Sequence, residues 1–355
     1  MESKPKIRFF FGSNTAVGFR SYFEQLLGPN SGYRLFILKG GPGTGKSSLM
    51  KKMGAAFEKA GDQVIYIPCA SDPDSLDAVM SVTRRLALVD GTAPHTLDPT
   101  CPGAVETMLD PGDGFDLALM EKNREEILSL NQAISYRHSR ATGFIAAADA
   151  LLFQNEKAAA PYVDEAAIDD FVYGYFHGLE REGRGRESKR LLSAVSVDAI
   201  IYFQETLSCF CKKRYCIPDP YGAASGLFLE KLKNAALSRG VDALSCPCSI
   251  AKNPRLDHVI FRGLGVGFSK TCDLLNPGQE GVLLPDFMKP LPKEADREKM
   301  AELNCRAGEL LFAAAKEVGE AKRLHDELEA LYVKAMDFSV MEGFYHRILG
   351  EAGLN

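Results

Sequence analysis

Apolar residues in this chain fall into two kinds of pattern. Early on they come in short blocks, at residues 8–11, 35–38, 64–67 and 86–89, each bounded by polar residues, glycine or proline. Short apolar blocks between turn signals predict buried strands. Residues 16–27 place Phe19, Tyr22, Phe23, Leu26 and Leu27 at helical spacing, and residues 47–59 read as a second helix with Gly61 as its C-cap. Strands alternating with helices predict an α/β fold, a parallel sheet with flanking helices and right-handed crossovers. From about residue 117 the pattern lengthens. Ile127, Leu130, Ile134, Ala141, Ile145, Ala148 and Leu152 step mostly by threes and fours, and Leu303, Ala307, Leu310, Ala314 and Val318 do the same later. These stretches predict long amphipathic helices, each turning back on a following helix at 165–179 or 340–349. Such a long helical hairpin packs on its own domain, or projects as an arm toward a protein partner or as a lid.

The two long-helix stretches belong to a repeat that runs through the chain. Tyr22-Phe23 recurs as Tyr202-Phe203, Cys69 as Cys248, Leu76-Asp77 as Leu256-Asp257, and Asp98-Pro99 as Asn276-Pro277. Gly174-Tyr175-Phe176-His177 recurs as Gly343-Phe344-Tyr345-His346. Common order with a slowly drifting offset marks an internal duplication. The halves are 1–182 and 187–355. Residues 181–188, rich in arginine and glycine, read as an exposed linker or as an arginine segment that touches phosphate.

The chemistry concentrates in the first half. Gly40-Gly41-Pro42-Gly43-Thr44-Gly45-Lys46-Ser47 fits G-x-x-x-x-G-K-[ST], with a predicted strand before it and a helix after it. The glycines let the loop wrap so that backbone N–H groups point at phosphate oxygens. The helix N-terminus adds roughly half a positive charge. Lys46 would lie on the β- and γ-phosphates, and Ser47 would offer its hydroxyl to Mg²⁺. Residues 40–48, Ser48 included, are the expected nucleotide-binding set. Leu86-Ala87-Leu88-Val89-Asp90 is the Walker B candidate, an apolar strand that delivers a carboxylate to Mg²⁺. Asp72, Asp74 and Asp77 are alternatives at another strand end. Thr92 and His95 follow Asp90 closely enough to reach a γ-phosphate or its attacking water, so Lys46, Asp90, Thr92 and His95 are the expected catalytic residues. A structural role for His95 stays open.

The second half serves as an internal control. Aligned on the repeat, it reads Pro220-Tyr221-Gly222-Ala223-Ala224-Ser225-Gly226-Leu227, with Gly226 opposite Lys46, Leu227 opposite Ser47 and Ser269 opposite Asp90. Lysine, magnesium hydroxyl and carboxylate are all replaced, so one nucleotide site is expected, in the first half. The chain resembles a family of duplicated bacterial P-loop ATPases, largely uncharacterised and nucleotide kinase-like. The resemblance rests on Arg34-Leu35-Phe36-Ile37-Leu38-Lys39, on residues 40–47, and on Asp90-Gly91-Thr92-Ala93-Pro94-His95. It implies a P-loop NTPase fold that binds ATP. In that family the second half usually keeps a phosphate loop, and here it does not.

Composition narrows the remaining classes. Of 355 residues 46% are hydrophobic and 25% charged, which excludes disorder as the main state. The net charge of −5 gives no global basic surplus for nucleic acid or an anionic membrane. No stretch is long and apolar enough for a membrane span, and the first residues lack the apolar core of a signal peptide. Nine cysteines, an odd number, read as reduced thiols in a cytoplasmic protein. Cys246-Pro247-Cys248 and Cys209-Phe210-Cys211 lack a second ligand pair at zinc spacing. Arg137 and Arg140 read as a solvated helix face, or as lid groups over phosphate. Three functions remain: an ATPase, a nucleotide or small-molecule kinase, and a nucleotide-sensing binding module.

Overall fold

The computed structural model of the protein describes residues 6–179, 183–270, 281–285, 287–290 and 294–354. The first half runs through β1 (Ile7–Arg8), the hairpin β2 (Gly12–Thr15) and β3 (Gly18–Ser21), β4 (Arg34–Leu38), α1 (Lys46–Lys59), β5 (Val64–Pro68), β6 (Leu76–Ser81), β7 (Leu86–Asp90) and β8 (Glu106–Leu109). Three helices follow: α2 (Leu117–Lys122), α3 (Arg124–Ala159) and α4 (Glu165–Tyr175). The second half runs through β9 (Glu187–Lys189), the hairpin β10 (Ser193–Ser196) and β11 (Ala199–Tyr202), α5 (Gln204–Phe210), β12 (Lys213–Cys216) and α6 (Ala223–Ser238). Then come β13 (Ala243–Pro247), β14 (Leu256–Phe261), β15 (Val266–Ser269), β16 (Gly281–Leu283), α7 (Glu294–Ala335) and α8 (Ser339–Glu351).

The chain is a mixed α/β protein whose two six-stranded sheets have one topology. The first is ordered β1-β5-β6-β7-β4-β8 and the second β9-β13-β14-β15-β12-β16. Strand directions agree as well. The outer pairs are parallel, while β6 and β14 run antiparallel to both neighbours. The expected all-parallel sheet is therefore corrected. A parallel return needs a crossover of a dozen or more residues, and only residues 69–75 separate β5 from β6. The chain folds straight back, with a register shift at Pro68 that recurs at Pro247.

Other local expectations change too. Residues 16–27 are not a helix but the end of a hairpin, which turns at Gly18 (φ 99°), and a short 3-10 turn at Phe23–Leu26. Their apolar side chains serve the space between the sheets, so spacing that suits a helix face arises without a helix. The strand expected at 8–11 ends at Arg8, and Phe10 instead exchanges two 2.8 Å backbone hydrogen bonds with Leu191. Of the expected linker, residues 181 and 182 lie outside the described residues. Its last part is ordered in the second sheet, with β9 paired to β13 and the Gly185 amide bonded to Leu237 O. Asn276-Pro277 of the repeat also lies outside the described residues.

Alternation along the strands assigns the two faces of the first sheet. Leu35, Ile37, Ile65, Ile67 and Val89 point to a core shared with Phe10, Leu191, Phe203, Leu244 and Ile260, so the halves pack through this layer. Phe36, Leu38, Tyr66 and Leu88 point the other way, toward Leu49, Met53 and Phe57 of α1. That outer layer is completed from the other half: Met341 and Ile348 of α8 are buried in it. Reciprocally, Ile168 and Val172 of α4 are buried with Phe228 and Leu232 of α6 in the second half. The two halves thus exchange their terminal helices.

The long helices make the crossing. Asn155 Nδ2 bonds Met300 O (2.7 Å) and Arg140 Nε bonds Glu317 (2.8 Å), which fixes α3 and α7 as an antiparallel pair. At 36 residues, α3 spans about 54 Å, enough to carry the chain from one half to the other. The expected helical hairpin packed on its own domain is thereby corrected, because each long helix folds onto its counterpart. Arg137 and Arg140, expected to be solvated or over phosphate, both bond Glu317 across the pair. A β-bridge fastens each crossing, Phe115 with Met336 and Val163 with Met288.

Candidate functional site

Residues 39–45 connect β4 to α1, whose first two residues are Lys46 and Ser47. Gly45, with φ 86°, adopts the left-handed conformation that glycine accepts without strain, and α1 starts directly behind it. The Lys46 ammonium donates to the carbonyl oxygens of Gly40 and Gly41, both at 2.7 Å, and lies 3.5 Å from Asp90 Oδ2. It is 9% exposed. The Thr44 hydroxyl donates to Gly41 O (2.9 Å) and closes the same turn. Ser47 Oγ accepts the amide of Leu76 (3.0 Å), which ties α1 to the start of β6. Ser48 is exposed in the first turn of α1, and Pro42 is half-buried at the loop's outer bend.

β7 runs beside β4 and ends at Asp90, opposite Leu38. Asp90 Oδ1 accepts from the Thr92 amide (2.9 Å) and hydroxyl (2.5 Å), leaving Oδ2 toward Lys46. Lys46, Asp90 and Thr92 are therefore one connected group. His95 belongs to a second group just beside it. Its Nε2 is 3.2 Å from Asp77 Oδ2, both residues are buried, and Phe19 and Phe23 pack on the ring. Burial pulls the His95 pKa down, but the charge of Asp77, the hydrogen bond to it and the charge of Asp90 together hold it above the ordinary 6.5. Burial, then the charge of Asp77, pushes the Cys69 thiol well above its usual range. Of the other two alternative carboxylates, Asp72 turns to Lys322 of α7 (3.4 Å) and Asp74 is exposed.

The loop lies under the end of α7 and the start of α8. A Cβ on Gly43 would stand 2.7 Å from the Glu329 carbonyl oxygen, and one on Gly41 would stand 2.6 Å from the Tyr332 ring. Close approach favours glycine at both positions, and at Gly43 the left-handed backbone (φ 69°) favours it as well. Sequence reasoning missed this cover. The helical period announces α7 but carries no signal for which half it crosses to. It also missed His325, Asp326 and Glu329 on the same stretch, whose ligand atoms lie within 4.8 Å of one another. Asp326 there is already engaged by Lys322 at 2.5 Å.

The second half corrects the alignment used as a control. α6 also starts behind a left-handed glycine, Gly222 (φ 79°), which sets Ala223 opposite Lys46 and Ala224 opposite Ser47, in place of Gly226 and Leu227. Strand pairing sets Leu38 opposite Ile217, so the connecting loop has five residues (218–222) against seven (39–45). β7 and β15 both start after a residue of positive φ, Arg85 and Gly265, which brings Lys270 rather than Ser269 opposite Asp90. Asp219 accepts from the amides of Tyr221 (3.1 Å), Gly222 (2.8 Å) and Ser225 (2.7 Å). A carboxylate of the chain itself therefore occupies the N-terminus of α6, whereas α1 carries no side-chain cap. Lys270 pairs with buried Asp257 at 2.6 Å.

Among the described residues no helix is long and apolar enough to cross a membrane. No protein-family model matches the chain, and no curated protein or solved structure is matched by it.

Proposed function

We propose that the protein is a P-loop NTPase that binds ATP with Mg²⁺ at one site in its first half and hydrolyses it. The observation that carries this reading is the placement of Lys46. Its ammonium is held at the N-terminus of α1 by two loop carbonyls, 3.5 Å from the carboxylate that ends the adjacent strand. A helix N-terminus, a wrapped glycine loop and a fixed cation converge on one point, and that combination suits a polyphosphate. Ser47 and Asp90 offer the hard oxygen ligands that Mg²⁺ takes. When bound, the ion would neutralise charge developing on the transferred phosphoryl group. Lys46 would stabilise the same charge, and Thr92 keeps Asp90 oriented through its two hydrogen bonds. His95, tied to Asp77 and walled in by Phe19 and Phe23, is a positioning residue for this corner rather than a base that reaches substrate.

A second reading, a nucleotide-sensing module, draws on the cover over the loop. Glu329 and Tyr332 of the second half touch the glycines that would wrap phosphate, so loop occupancy would be felt along α7. A nucleotide or small-molecule kinase needs an acceptor pocket beside the loop. Asp72 on that side is committed to Lys322.

The test is phosphate release from Mg-ATP by the purified chain, beside Lys46→Ala, with no other substrate. Turnover that disappears in the variant supports the ATPase. ATP binding without turnover moves the reading to the sensor or to a kinase without its acceptor. No ATP binding by the unaltered protein ends all three.

A further inference from the structure

Away from the glycine loop, a cavity of about 530 Å³ lies between α3, the β2–β3 turn and the loop after β13. Ala16, Val17, Ala146, Ala150 and Phe153 form its apolar wall, with Val17 and Phe153 exposed. Its ionic lining is two acids, Asp149 and Glu156, and two bases, Lys252 and Arg255. Asp149 is 7% exposed. Its Oδ2 accepts the Lys252 amide at 3.0 Å, while its Oδ1 has no hydrogen bond and lies 3.7 Å from Arg255 Nη1. The same Nη1 is 3.2 Å from Glu156, and Arg255 Nε is buried without an acceptor. Asp149 Oδ1 is thus held by a long ion pair alone, and Arg255 Nε is a buried donor without an acceptor. Each such group costs free energy until a partner reaches it. Burial raises the Glu156 carboxyl pKa, opposed by the charge of Arg255.

In the first half, Lys322 of α7 lies between Asp72 (3.4 Å) and Asp326 (2.5 Å). In the second half α3 presents Ala146 and Ala150 to the cavity.

We propose that this cavity binds a small apolar amino acid as its zwitterion. The ammonium would meet Asp149 and Glu156, the carboxylate would meet Arg255 and Lys252, and the side chain would lie on Ala16, Ala146 and Phe153. A ligand with one charge satisfies one side of the lining and faces like charge on the other. The zwitterion satisfies both, and the cavity is within the usual range for a small-molecule site. The proposal does not depend on how the glycine loop is read.

Calorimetric titration of the whole chain with L-leucine, L-methionine and L-phenylalanine tests it. Two analogues each lack one charge: 3-methylbutylamine and 4-methylpentanoate. At least one amino acid should bind saturably with Kd in the range of about 1 µM to 1 mM, and both analogues should bind at least about tenfold more weakly. Ala146→Trp, which fills the cavity, should abolish binding, and Asp149→Asn should weaken it by about tenfold. Thermal unfolding and circular dichroism identify folded variants. If Ala146→Trp does not fold, Ala150→Trp at the exposed rim gives the same reading. No saturable binding by any of the three amino acids overturns the proposal. So does an analogue that binds as tightly, or undiminished binding by a folded cavity-filled variant.

Discussion

Both halves launch their first long helix from a left-handed glycine behind the same strand, yet they treat the positive end of that helix in opposite ways. In the first half a seven-residue loop keeps Lys46 turned in, beside Asp90. In the second, a five-residue loop brings Asp219 close enough to take three backbone amides. The lysine has moved as well, from the helix to the strand end, where Lys270 neutralises Asp257. The N-terminus of α1 has no side-chain cap, and on the proposed reading an external anion takes that place. Two fewer residues and one aspartate convert the same terminus into a capped one.

The sharpest way to break this contrast is to move the lysine. Lys46→Ala should lower phosphate release by about 100-fold or more, the scale of losing one preorganised charge at a developing anion. Ala223→Lys should leave the stoichiometry at one nucleotide per chain, because Asp219 still holds the α6 terminus. A second equivalent of nucleotide bound by that variant would show that the halves differ by the lysine and not by the plugged loop.

Next come the exchanged helices. Ile348→Ala in α8 and Ile168→Ala in α4 each empty a fully buried position, at a cost of about 2–5 kcal/mol in denaturant unfolding. Beyond that shared cost, Ile348→Ala should also raise the Kd for ATP, since α8 packs against α1, and Ile168→Ala should not. Equal effects on nucleotide affinity would erase the distinction.

Two buried histidines should give the halves opposite pH responses. Burial depresses the His258 pKa to about 4, despite the charge of Asp257, so the folded state binds fewer protons than the unfolded one below pH 6.5. Its contribution is complete above 6.5 and is lost as pH falls toward 4, on the order of 3 kcal/mol. His95 has a raised folded-state pKa, so its contribution is complete below pH 6.5 and is lost as pH rises through that raised value. Unfolding free energies measured across pH should lose the acid-side slope in His258→Gln and the alkaline-side slope in His95→Gln. The smallest effect belongs to Asp219→Ala, which removes a helix cap and should cost about 1 kcal/mol in the same unfolding assay.

The residues of the candidate site were legible because their spacing is itself the chemistry. A glycine loop ending in Lys46, and an apolar strand ending in Asp90, name each other before any coordinates exist. The apolar blocks of β4, β5 and β7 were legible as strands, whereas β8 was not and the block at 8–11 is a strand only to Arg8. β6 was not legible, since Leu76-Asp77-Ala78-Val79 lacks a clean apolar block, and its direction follows from the shortness of the preceding loop rather than from its composition. The hairpin at Gly12–Ser21 was misread because aromatic residues that fill a layer between sheets can fall at helical intervals. The offset of the second-half loop was misplaced by three positions. Identity matching follows small residues, whereas the backbone follows the one glycine with positive φ. Nothing local in α3 or α7 says that their ends belong to the opposite half.

The exchange of terminal helices also sets an order in time. The sheet of the first half is written by Leu109, yet the helix that finishes its outer layer starts at Ser339, 230 positions later. A ribosome therefore releases a glycine loop whose neighbour does not yet exist, and the first half waits, incomplete, for the second to be made. A chain broken anywhere between them yields two fragments that each expose an apolar layer.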